Sequence, residues 1–230
     1  MGTNILLSIG ILHISAGFAT PGNSQRIISI FAARFLFMLG TLFAYFERGF
    51  SLSEAEKDVI RAVVLKRKLK KTEFLQREGE IARYGAFVAR GFLRSYVIDN
   101  KGKEHIIQFA PENWWISDNH GLSEGVKASF FIDAIEDSDI FLCDLAGHLT
   151  MMQKIPGYAA SFQAGMQKRA AAKDKRIVHS LSATAEERYN DFLETYPSIA
   201  QRVPQHMLAS YLGVTPETIS RIRKLQSQKK

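Results

Sequence analysis

Residues 204–225 read Pro-Gln-His-Met-Leu-Ala-Ser-Tyr-Leu-Gly-Val-Thr-Pro-Glu-Thr-Ile-Ser-Arg-Ile-Arg-Lys-Leu, and this stretch decides how the rest of the chain is interpreted. Leu208 and Leu212 lie four residues apart, so one helix buries both on the same face. Gly213 can adopt the left-handed conformation that ends a helix. Thr215 is a good N-cap, and proline is tolerated at the first position of the helix that follows. The stretch therefore predicts two helices joined by a short turn.

The second helix of this pair is predicted to have an apolar and a polar face. Ile219, Ile222 and Leu225 recur every three residues and are expected to face inward, with Ala209 small where the two helices cross. A helix-turn-helix places the start of its second helix in the major groove, where carboxylates read cytosine and arginine forks read guanine. The expected DNA-contacting side chains are Thr215, Glu217, Thr218, Ser220, Arg221 and Lys224. The alternative is a plain helical hairpin with an intrahelical ion pair.

Basic residues are concentrated in the part of the chain that contains this motif. The formal net charge is +7; residues 165–230 carry 12 basic and 6 acidic side chains, whereas residues 1–164 carry 18 and 17. Contact with phosphates needs such an excess, because neutralising them releases counterions and gives affinity that does not depend on sequence. The charge distribution therefore favours double-stranded DNA as the partner.

The remaining composition describes a globular chain without an evident catalytic site. Its 230 residues, 46% of them hydrophobic, give room for one large or two small domains. The single cysteine, Cys143, excludes an intrachain disulfide and lies in a strand-like apolar run expected to be core. No Ser-His-Asp order, glycine-rich phosphate loop or paired carboxylates stand out, so we expect no enzyme.

A metal site is also disfavoured. Glu112, Asp118 and His120 lie in one loop, but their spacing is irregular, and a hydrated surface loop is the better interpretation. We therefore expect no metal and no cofactor, although a haem ligand among the six histidines is compatible with the sequence.

The amino-terminal part admits three interpretations. Residues 1–37 contain no Asp, Glu or Lys, and residues 27–46 form a mostly apolar stretch interrupted by Arg34. That length spans a bilayer, but an arginine near its centre costs about 2.5 to 3.5 kcal/mol on insertion scales. The first interpretation is that translation starts at Met38. The others are a membrane helix and a soluble packing helix.

Residues 73–144 have the pattern of antiparallel β structure. Short aromatic and β-branched runs are broken by turn residues, and no helix long enough for a parallel crossover intervenes. Gly79, Gly91 and the run Asp99-Asn100-Lys101-Gly102 predict turns. The basic run at 66–71 is interpreted as a solvated edge or turn. The expected strands are 74–75, 86–88, 93–98, 105–109, 114–116, 130–135 and 140–143.

Helices are predicted on both sides of this β region. Residues 53–56 and 184–187 both fit the capping box that starts a helix. After Pro156, apolar residues follow a narrow seam that is typical of a helix pairing with a second copy of itself. These residues are Tyr158, Phe162, Met166, Ala170, Ile177 and Leu181. A helix packed only on its own β domain is the alternative.

This order of elements resembles the Crp/Fnr family of bacterial transcription regulators over roughly residues 50–225. The resemblance is strongest in Gly-Val-Thr-Pro-Glu-Thr-Ile-Ser-Arg-Ile at 213–222. It also rests on Arg-Glu-Gly-Glu at 77–80, Gly-Phe-Leu-Arg at 91–94 and Gly-Lys-Glu-His-Ile-Ile-Gln-Phe at 102–109. It implies an α+β chain with an antiparallel β-roll or jelly-roll domain like that of cyclic-nucleotide-binding proteins. A long connecting dimerisation helix and a C-terminal helix-turn-helix would follow.

The resemblance also divides the chain and assigns reading residues. It implies an apolar N-terminal segment over 1–47, a sensor domain over 48–150, a dimerisation helix over 151–182 and a helix-turn-helix domain over 183–230. By the same resemblance, Glu217 and Arg221 fall where the family reads bases, with Thr215 and Thr218 near phosphates. The sequence stops about five residues past the recognition helix. Because no clear β wing follows, Lys224, Lys229 and Lys230 are expected to make some of the backbone contacts.

The implied effector pocket departs from that of nucleotide-binding relatives. Those relatives hold ribose and cyclic phosphate with a Gly-Glu segment and a later Arg-Ser or Arg-Thr pair, whereas this chain has Trp-Ile-Ser-Asp at 115–118 and Lys-Ala-Ser at 127–129. A buried phosphate needs a charged fork and backbone amides. We therefore expect cyclic AMP to bind weakly or not at all. The expected pocket residues are Trp115, Ser117, Asp118, Lys127 and Ser129, and the paired tryptophans Trp114 and Trp115 are interpreted chiefly as barrel filling.

Together these features predict a dimeric, cytoplasmic, sequence-specific transcription regulator. Its expected partners are a two-fold symmetric DNA operator, a second copy of the chain, RNA polymerase and an unidentified small-molecule effector. The alternative is a membrane-tethered, cyclic-nucleotide-binding-like sensor module whose C-terminal helices contact protein. The apolar stretch at 27–46 is the feature that keeps this alternative open.

Overall fold

The computed structural model describes residues 38–228, and the chain from Leu39 onward forms one compact unit. The predictions of a late translation start and of a membrane helix over 27–46 fall largely outside the described residues. Within them, no helix is both long and apolar enough to cross a bilayer. Residues 38–46 are helical and are called α1, and the side chains of Leu39 and Leu42 in α1 are fully buried.

The β region forms two antiparallel four-stranded sheets. Its strands are β1 (Leu65–Leu69), β2 (Phe74–Gln76), β3 (Gly85–Arg90), β4 (Leu93–Ile98), β5 (Glu104–Ala110), β6 (Trp115–Ile116), β7 (Phe131–Ala134) and β8 (Ser138–Cys143). The first sheet has the order β1-β8-β3-β6 and the second β2-β7-β4-β5. The two sheets form the predicted antiparallel β-roll, and β5 is an edge strand of the second sheet.

The interior of this roll is apolar. Alternating residues of both sheets enclose one cluster, which contains Leu69, Ala86, Val88, Leu93, Ala110, Ile116, Ile132, Ala134, Ile140 and Leu142. The outer face of the first sheet is covered as well, since Phe87 of β3 packs against Tyr45 of α1 and against Trp115. Strands β3 and β8 are therefore buried on both faces, which explains their nearly continuous apolar sequences.

Helices surround the roll and continue to the C-terminus. They are α2 (Glu54–Val63), α3 (Asn119–Glu124), α4 (Leu145–Lys154), α5 (Pro156–Ser182), α6 (Ala185–Thr195), α7 (Pro197–Ala200), α8 (Gln205–Leu212) and α9 (Pro216–Ser227). Both predicted capping boxes are present, at Ser53 before α2 and at Thr184 before α6. Pro156 occupies the first turn of α5, where its missing amide has no intrahelical partner.

The long helix α5 differs from its predicted single seam. Tyr158 is buried, with its ring against Phe46 of α1, and Phe162 packs on His148 of α4. Near the other end of the helix, Ile177 and Leu181 are 58% and 84% exposed. Residues four apart advance by about 40° round a helix of 3.6 residues per turn. The predicted seam therefore drifts, so that its early residues face the chain's own roll and its late ones face away from it.

Four elements were not predicted, namely β1, α3, α4 and the short helix α7. The basic run at 66–71 was interpreted as an edge or turn, but most of it lies in β1, an edge strand that pairs with β8 and in which only Leu69 is buried. Helix α3 interrupts the β region, and α4 precedes α5. Their short lengths and weak apolar periodicity explain why the pattern of the sequence does not reveal them.

Candidate nucleic-acid interface and sensor cavity

The predicted helix pair is present as α8 and α9. Gly213 has a φ of 67° and ends α8 in the left-handed region, as predicted. The hydroxyl of Thr215 accepts a hydrogen bond from the amide of Thr218 at 3.3 Å and caps α9. The buried residues of the pair are Leu208, Ala209, Leu212, Ile219 and Ile222. The start and orientation of α9 are therefore fixed by local structure.

Leu225 is an exception to the predicted inward face, because 47% of it is exposed. At this point α9 has extended past the short helix α8 and is held by α6 instead. Nε2 of Gln226 donates to Oδ1 of Asn190 at 2.7 Å, and Nε of Arg223 donates to the hydroxyl of Tyr189 at 2.9 Å. These polar anchors were not predicted, since they lie beside the apolar face rather than on it.

The outer face of α9 carries the residues that were expected to contact DNA. Thr215, Glu217, Ser220, Arg221 and Lys224 are exposed, and Thr218 is half-buried. Hydrogen bonds from its own backbone amide and from the hydroxyl of Thr215 lower the pKa of Glu217. Nε2 of Gln205 donates to Oγ of Ser220 at 2.6 Å, so Ser220 also joins α9 to α8. Of the other exposed side chains, Glu217 is acidic and Arg221 is basic, and both lie in the first half of α9. Lys224 adds a second basic group further along the helix.

The helix-turn-helix rests on the exposed edge of the roll. Oγ of Ser210 in α8 accepts a hydrogen bond from the amide of Ile106 at 3.0 Å and donates to the carbonyl of Glu104 at 2.7 Å. Both of these backbone groups belong to β5. An edge strand has a row of unpaired backbone groups, and here the hydroxyl of Ser210 takes the place of part of a neighbouring strand.

A β-bulge in β5 supplies a second contact. Pairing with β4 shifts register between Ser95 and Tyr96, which face Gln108 and Ile106, so that Ile107 is the extra residue. The two Nη atoms of Arg176 in α5 donate to the carbonyls of Ile107 and Ile106, at 2.6 and 2.9 Å. Successive carbonyls in a regular strand point to opposite edges, and the bulge turns both toward one guanidinium.

Aromatic rings complete this contact between the roll and the C-terminal helices. The guanidinium of Arg176 lies 4.1 Å from the ring centroid of Tyr211. The ring of Tyr211 packs against Phe109 of β5 and Phe192 of α6, with centroids 5.3 and 5.4 Å apart. One buried cluster thus includes residues of β4, β5, α6, α8 and α9.

Two adjoining cavities lie between the roll and α5. Their volumes are about 400 and 380 Å³. Trp115 and Ser117, both expected in an effector pocket, line both cavities, together with Asn119, Met166 and Arg169. Nε of Arg169 is buried without a hydrogen-bond partner. The cavities therefore combine aromatic walls with a cationic group.

The other expected pocket residues are placed differently. Asp118 is only 3% exposed; its Oδ1 accepts from the amide of Gly121 at 3.0 Å and its Oδ2 from the amide of Ser129 at 2.7 Å. Its carboxylate thus ties the start of α3 to the segment before β7. Lys127 and Ser129 have exposed side chains. The structure therefore does not bring these five residues together round one cavity.

The tryptophans and the loop acids also have definite places. Neither tryptophan belongs to the interior cluster of the roll; Trp115 lies on the outer face of the first sheet, and Trp114 packs against Tyr196 of α6. The interpretation of both as barrel filling is therefore wrong. Glu112 is paired with Arg202. No group of three or more His, Cys, Asp or Glu in the described part of the chain is arranged to hold a metal ion.

The described chain is thus an antiparallel β-roll with a helix-turn-helix docked on its edge. Comparison with solved structures places the fold within the architecture of the Crp/Fnr regulators. FixK2 from Bradyrhizobium japonicum is 23% identical, with a TM-score of 0.64 over 73% of this chain and 86% of that one. The global regulator CLP of Xanthomonas campestris is 13% identical, with a TM-score of 0.63 over 77% and 93%.

A third structure, from Eubacterium rectale, is assigned to the Crp/Fnr family of transcriptional regulators. It is 19% identical, with a TM-score of 0.59 over 77% of this chain and 85% of that one. No family model matches the sequence, and a search of curated proteins finds no relative. The resemblance inferred from the sequence is therefore confirmed for the fold.

Proposed function

We propose that this protein is a sequence-specific DNA-binding transcription regulator that acts as a homodimer in the cytoplasm. The observation that carries the proposal is the geometry of α9. Its start is fixed by Gly213 and Thr215, its inner face is buried, and its outer face presents Glu217, Arg221 and Lys224 to solvent. Docking on the roll gives such a reading helix a defined direction. The net charge of +7 adds a favourable field for phosphates.

The direct test is selection of binding sites from a random DNA library with the purified full-length chain. We expect an enriched two-fold symmetric site whose half-sites are about 10 base pairs apart, centre to centre. Affinity for that site should fall steeply with salt, because phosphate contacts release counterions. A library that yields no enriched sequence, with protein that is folded and dimeric, would refute the proposal.

Dimerisation is proposed to use the last turns of α5. Ile177, Val178 and Leu181 are 58%, 56% and 84% exposed, and they lie on neighbouring turns of one helix. These three exposed apolar side chains lie on the helix that leads to the helix-turn-helix, and they fit an interface between two paired helices. A second copy of α5 would cover them and place the two helix-turn-helix motifs on opposite half-sites.

Replacing Leu181 with Glu is expected to convert the dimer to monomer, because two carboxylates would be buried at the helix pair. Analytical ultracentrifugation measures the change directly. Affinity for a symmetric DNA site should fall by about a hundredfold or more, since binding of the second helix-turn-helix would no longer be intramolecular. Leu65→Glu is the matched control, because Leu65 is 56% exposed on β1, an edge strand of the roll. Equal loss of dimer in both variants would contradict an α5 interface.

The effector site is proposed to be the pair of cavities beneath α5. Aromatic walls with Arg169 nearby suit an apolar or aromatic molecule that carries a negative group. A ligand there would contact α5 and the roll together. Its binding would therefore bias the position of the helix that leads to the helix-turn-helix.

Cyclic AMP is expected to bind weakly or not at all. The segments 115–118 and 127–129 correspond to the phosphate-holding segments of nucleotide-binding relatives. The carboxylate of Asp118 in the first is already bonded to the amide of Ser129 in the second and to that of Gly121 in α3. A cyclic phosphate would bring a second negative charge to a buried carboxylate. Titration calorimetry with cyclic AMP should therefore detect no dissociation constant in the micromolar range or below. Binding at micromolar strength would overturn this expectation.

A further inference from the structure

One arginine outside the helix-turn-helix contacts three loops at one end of the roll. Arg202 lies between α7 and α8, and its side chain is 28% exposed. Its Nε and Nη2 donate to the two carboxylate oxygens of Glu136 at 3.0 and 2.7 Å. Nη1 and Nη2 donate to the two oxygens of Glu112 at 2.7 and 3.1 Å, and Nη2 also reaches the carbonyl of Gly91 at 3.2 Å.

These partners come from three separate loops. Gly91 lies between β3 and β4, Glu112 between β5 and β6, and Glu136 between β7 and β8. The guanidinium also lies 4.9 Å from the ring centroid of Phe92. The planar fork of arginine suits two-pronged pairing with carboxylates, which lysine cannot reproduce. The side chain of Arg202, in the C-terminal region, therefore links the three loops at one end of the roll.

Glu112 is itself fixed by the roll. Its Oε1 accepts a hydrogen bond from the amide of Gly91 at 2.9 Å. Burial alone would raise the pKa of Glu112, but the hydrogen bonds from Arg202 and the amide of Gly91 lower it. Glu112 is thus ionised at neutral pH and is held in place for Arg202.

We infer that Arg202 is a positioning residue, which holds the helix-turn-helix on the roll and so sets the direction of the recognition helix. Arg202 lies just before α8 and is bonded to the loops at the end of the roll, whereas Ser210 lies in the last turn of α8 and is bonded to the edge of β5. Together with the ring contact between Tyr211 and Phe109, these polar contacts at separate points resist rotation of the helix-turn-helix on the roll. Arg202 lies outside α8 and α9, and its effect on DNA reading rests on the proposed function.

The amide of Ile106 provides a readout that does not require DNA. Its hydrogen-bond partner is the hydroxyl of Ser210, on the opposite side of the contact. If Arg202→Gln loosens the contact, hydrogen exchange at residues 104–107 should rise by about tenfold or more, since local opening exposes this amide. Exchange at Ala128 should not change, because its amide is bonded to the carbonyl of Glu80 at 2.7 Å, at the end of the roll opposite the three loops.

Three further variants define the result. Arg202→Lys should raise exchange less than Arg202→Gln, because it keeps one charge but not the fork. Arg61→Gln removes an arginine that pairs with Asp58 and Glu54 on α2, and it should leave exchange at residues 104–107 unchanged. Glu136→Gln keeps nearly the same shape and should act in the same direction as Arg202→Gln. It takes over as the test variant if Arg202→Gln does not fold.

The DNA experiment uses the site selected with the unchanged protein. For Arg202→Gln we expect about tenfold weaker binding to the DNA site. A helix-turn-helix that moves on its roll has a lower effective concentration at the second half-site. The penalty for altered half-site spacing should also shrink, which a simple loss of stability does not produce. If the unchanged protein selects no site, the proposed function fails while exchange at Ile106 still tests the positioning role. Unchanged exchange at Ile106, or an equal rise at Ala128, would overturn the inference.

Discussion

Replacing Gly91 with Ala is expected to destabilise the protein by about 2 to 5 kcal/mol, through backbone strain and overpacking together. Gly91 has a φ of 100°, in the region that side chains rarely adopt. A Cβ added there would lie 2.2 Å from Oγ and 2.6 Å from Cα of Ser138. The second of these atoms is backbone of β8 and cannot rotate away. Urea unfolding followed by circular dichroism measures the loss as a lower midpoint.

The effect should be large because this turn holds several groups in place. Oγ of Ser138 accepts from the amide of Phe92 at 3.0 Å and donates to the carbonyl of Glu136 at 2.7 Å. Moving Ser138 to admit a methyl group would disturb both of these bonds. A folded domain has only about 5 to 15 kcal/mol of stability in total, so the loss would be a large fraction of it.

Gly102→Ala is the matched control for this prediction. Gly102 has a φ of 77°, but a Cβ there would meet nothing within 4 Å. It should therefore show the cost of backbone strain alone, about 1 to 2 kcal/mol. The difference between the two variants isolates the clash with Ser138. Equal losses in both would mean that close packing of the turn on β8 contributes nothing.

Local signals explain why the helix-turn-helix was predictable. Gly213 can end one helix and Thr215 with Pro216 can start the next, and each acts through bonds within a few residues. The structure ends α8 at Leu212 and starts α9 at Pro216, as the sequence indicates. The antiparallel strands were predictable for a similar reason, since their aromatic and β-branched runs are bounded by turn residues.

Contacts between distant residues explain what was not predictable. Gly91 was expected in a turn, but its approach to Ser138 joins residues far apart in the chain. Arg202 meets partners 66 and 90 residues away. Neither contact produces a periodic pattern in the sequence, and both depend on how the strands are ordered in the sheets.

The expected effector pocket shows the same limit at a smaller scale. The resemblance to nucleotide-binding relatives grouped Asp118 and Ser129 in one pocket, and a hydrogen bond does join the side chain of one to the amide of the other. The sequence could not show that the carboxylate of Asp118 is used for contacts within the domain rather than for binding a ligand. Charge in the basic run at 66–71 likewise obscured β1, because an edge strand with one buried residue needs little apolar sequence.

Arg221→Ala and Lys224→Ala are expected to impair DNA binding in two distinct ways. An arginine paired with guanine contributes about 1 to 3 kcal/mol of discrimination, so Arg221→Ala should reduce the preference for the correct base at one position by about 5- to 150-fold. Lys224→Ala should weaken binding almost evenly across sequences and lower the salt slope by about 1. Competition binding on the selected site and its single-base variants measures the first, and salt titration measures the second.

Neither variant should disturb the fold, because both side chains are exposed on α9 and alanine favours helix. Arg61→Ala is the control for loss of a surface arginine, since Arg61 lies on α2 of the roll. Arg223→Ala should differ both from the two DNA-contact variants and from the Arg61→Ala control, because Arg223 anchors α9 to Tyr189. It should reduce affinity and protein stability together. If Arg221→Ala and Lys224→Ala both retain full specificity and affinity, α9 is not the reading helix.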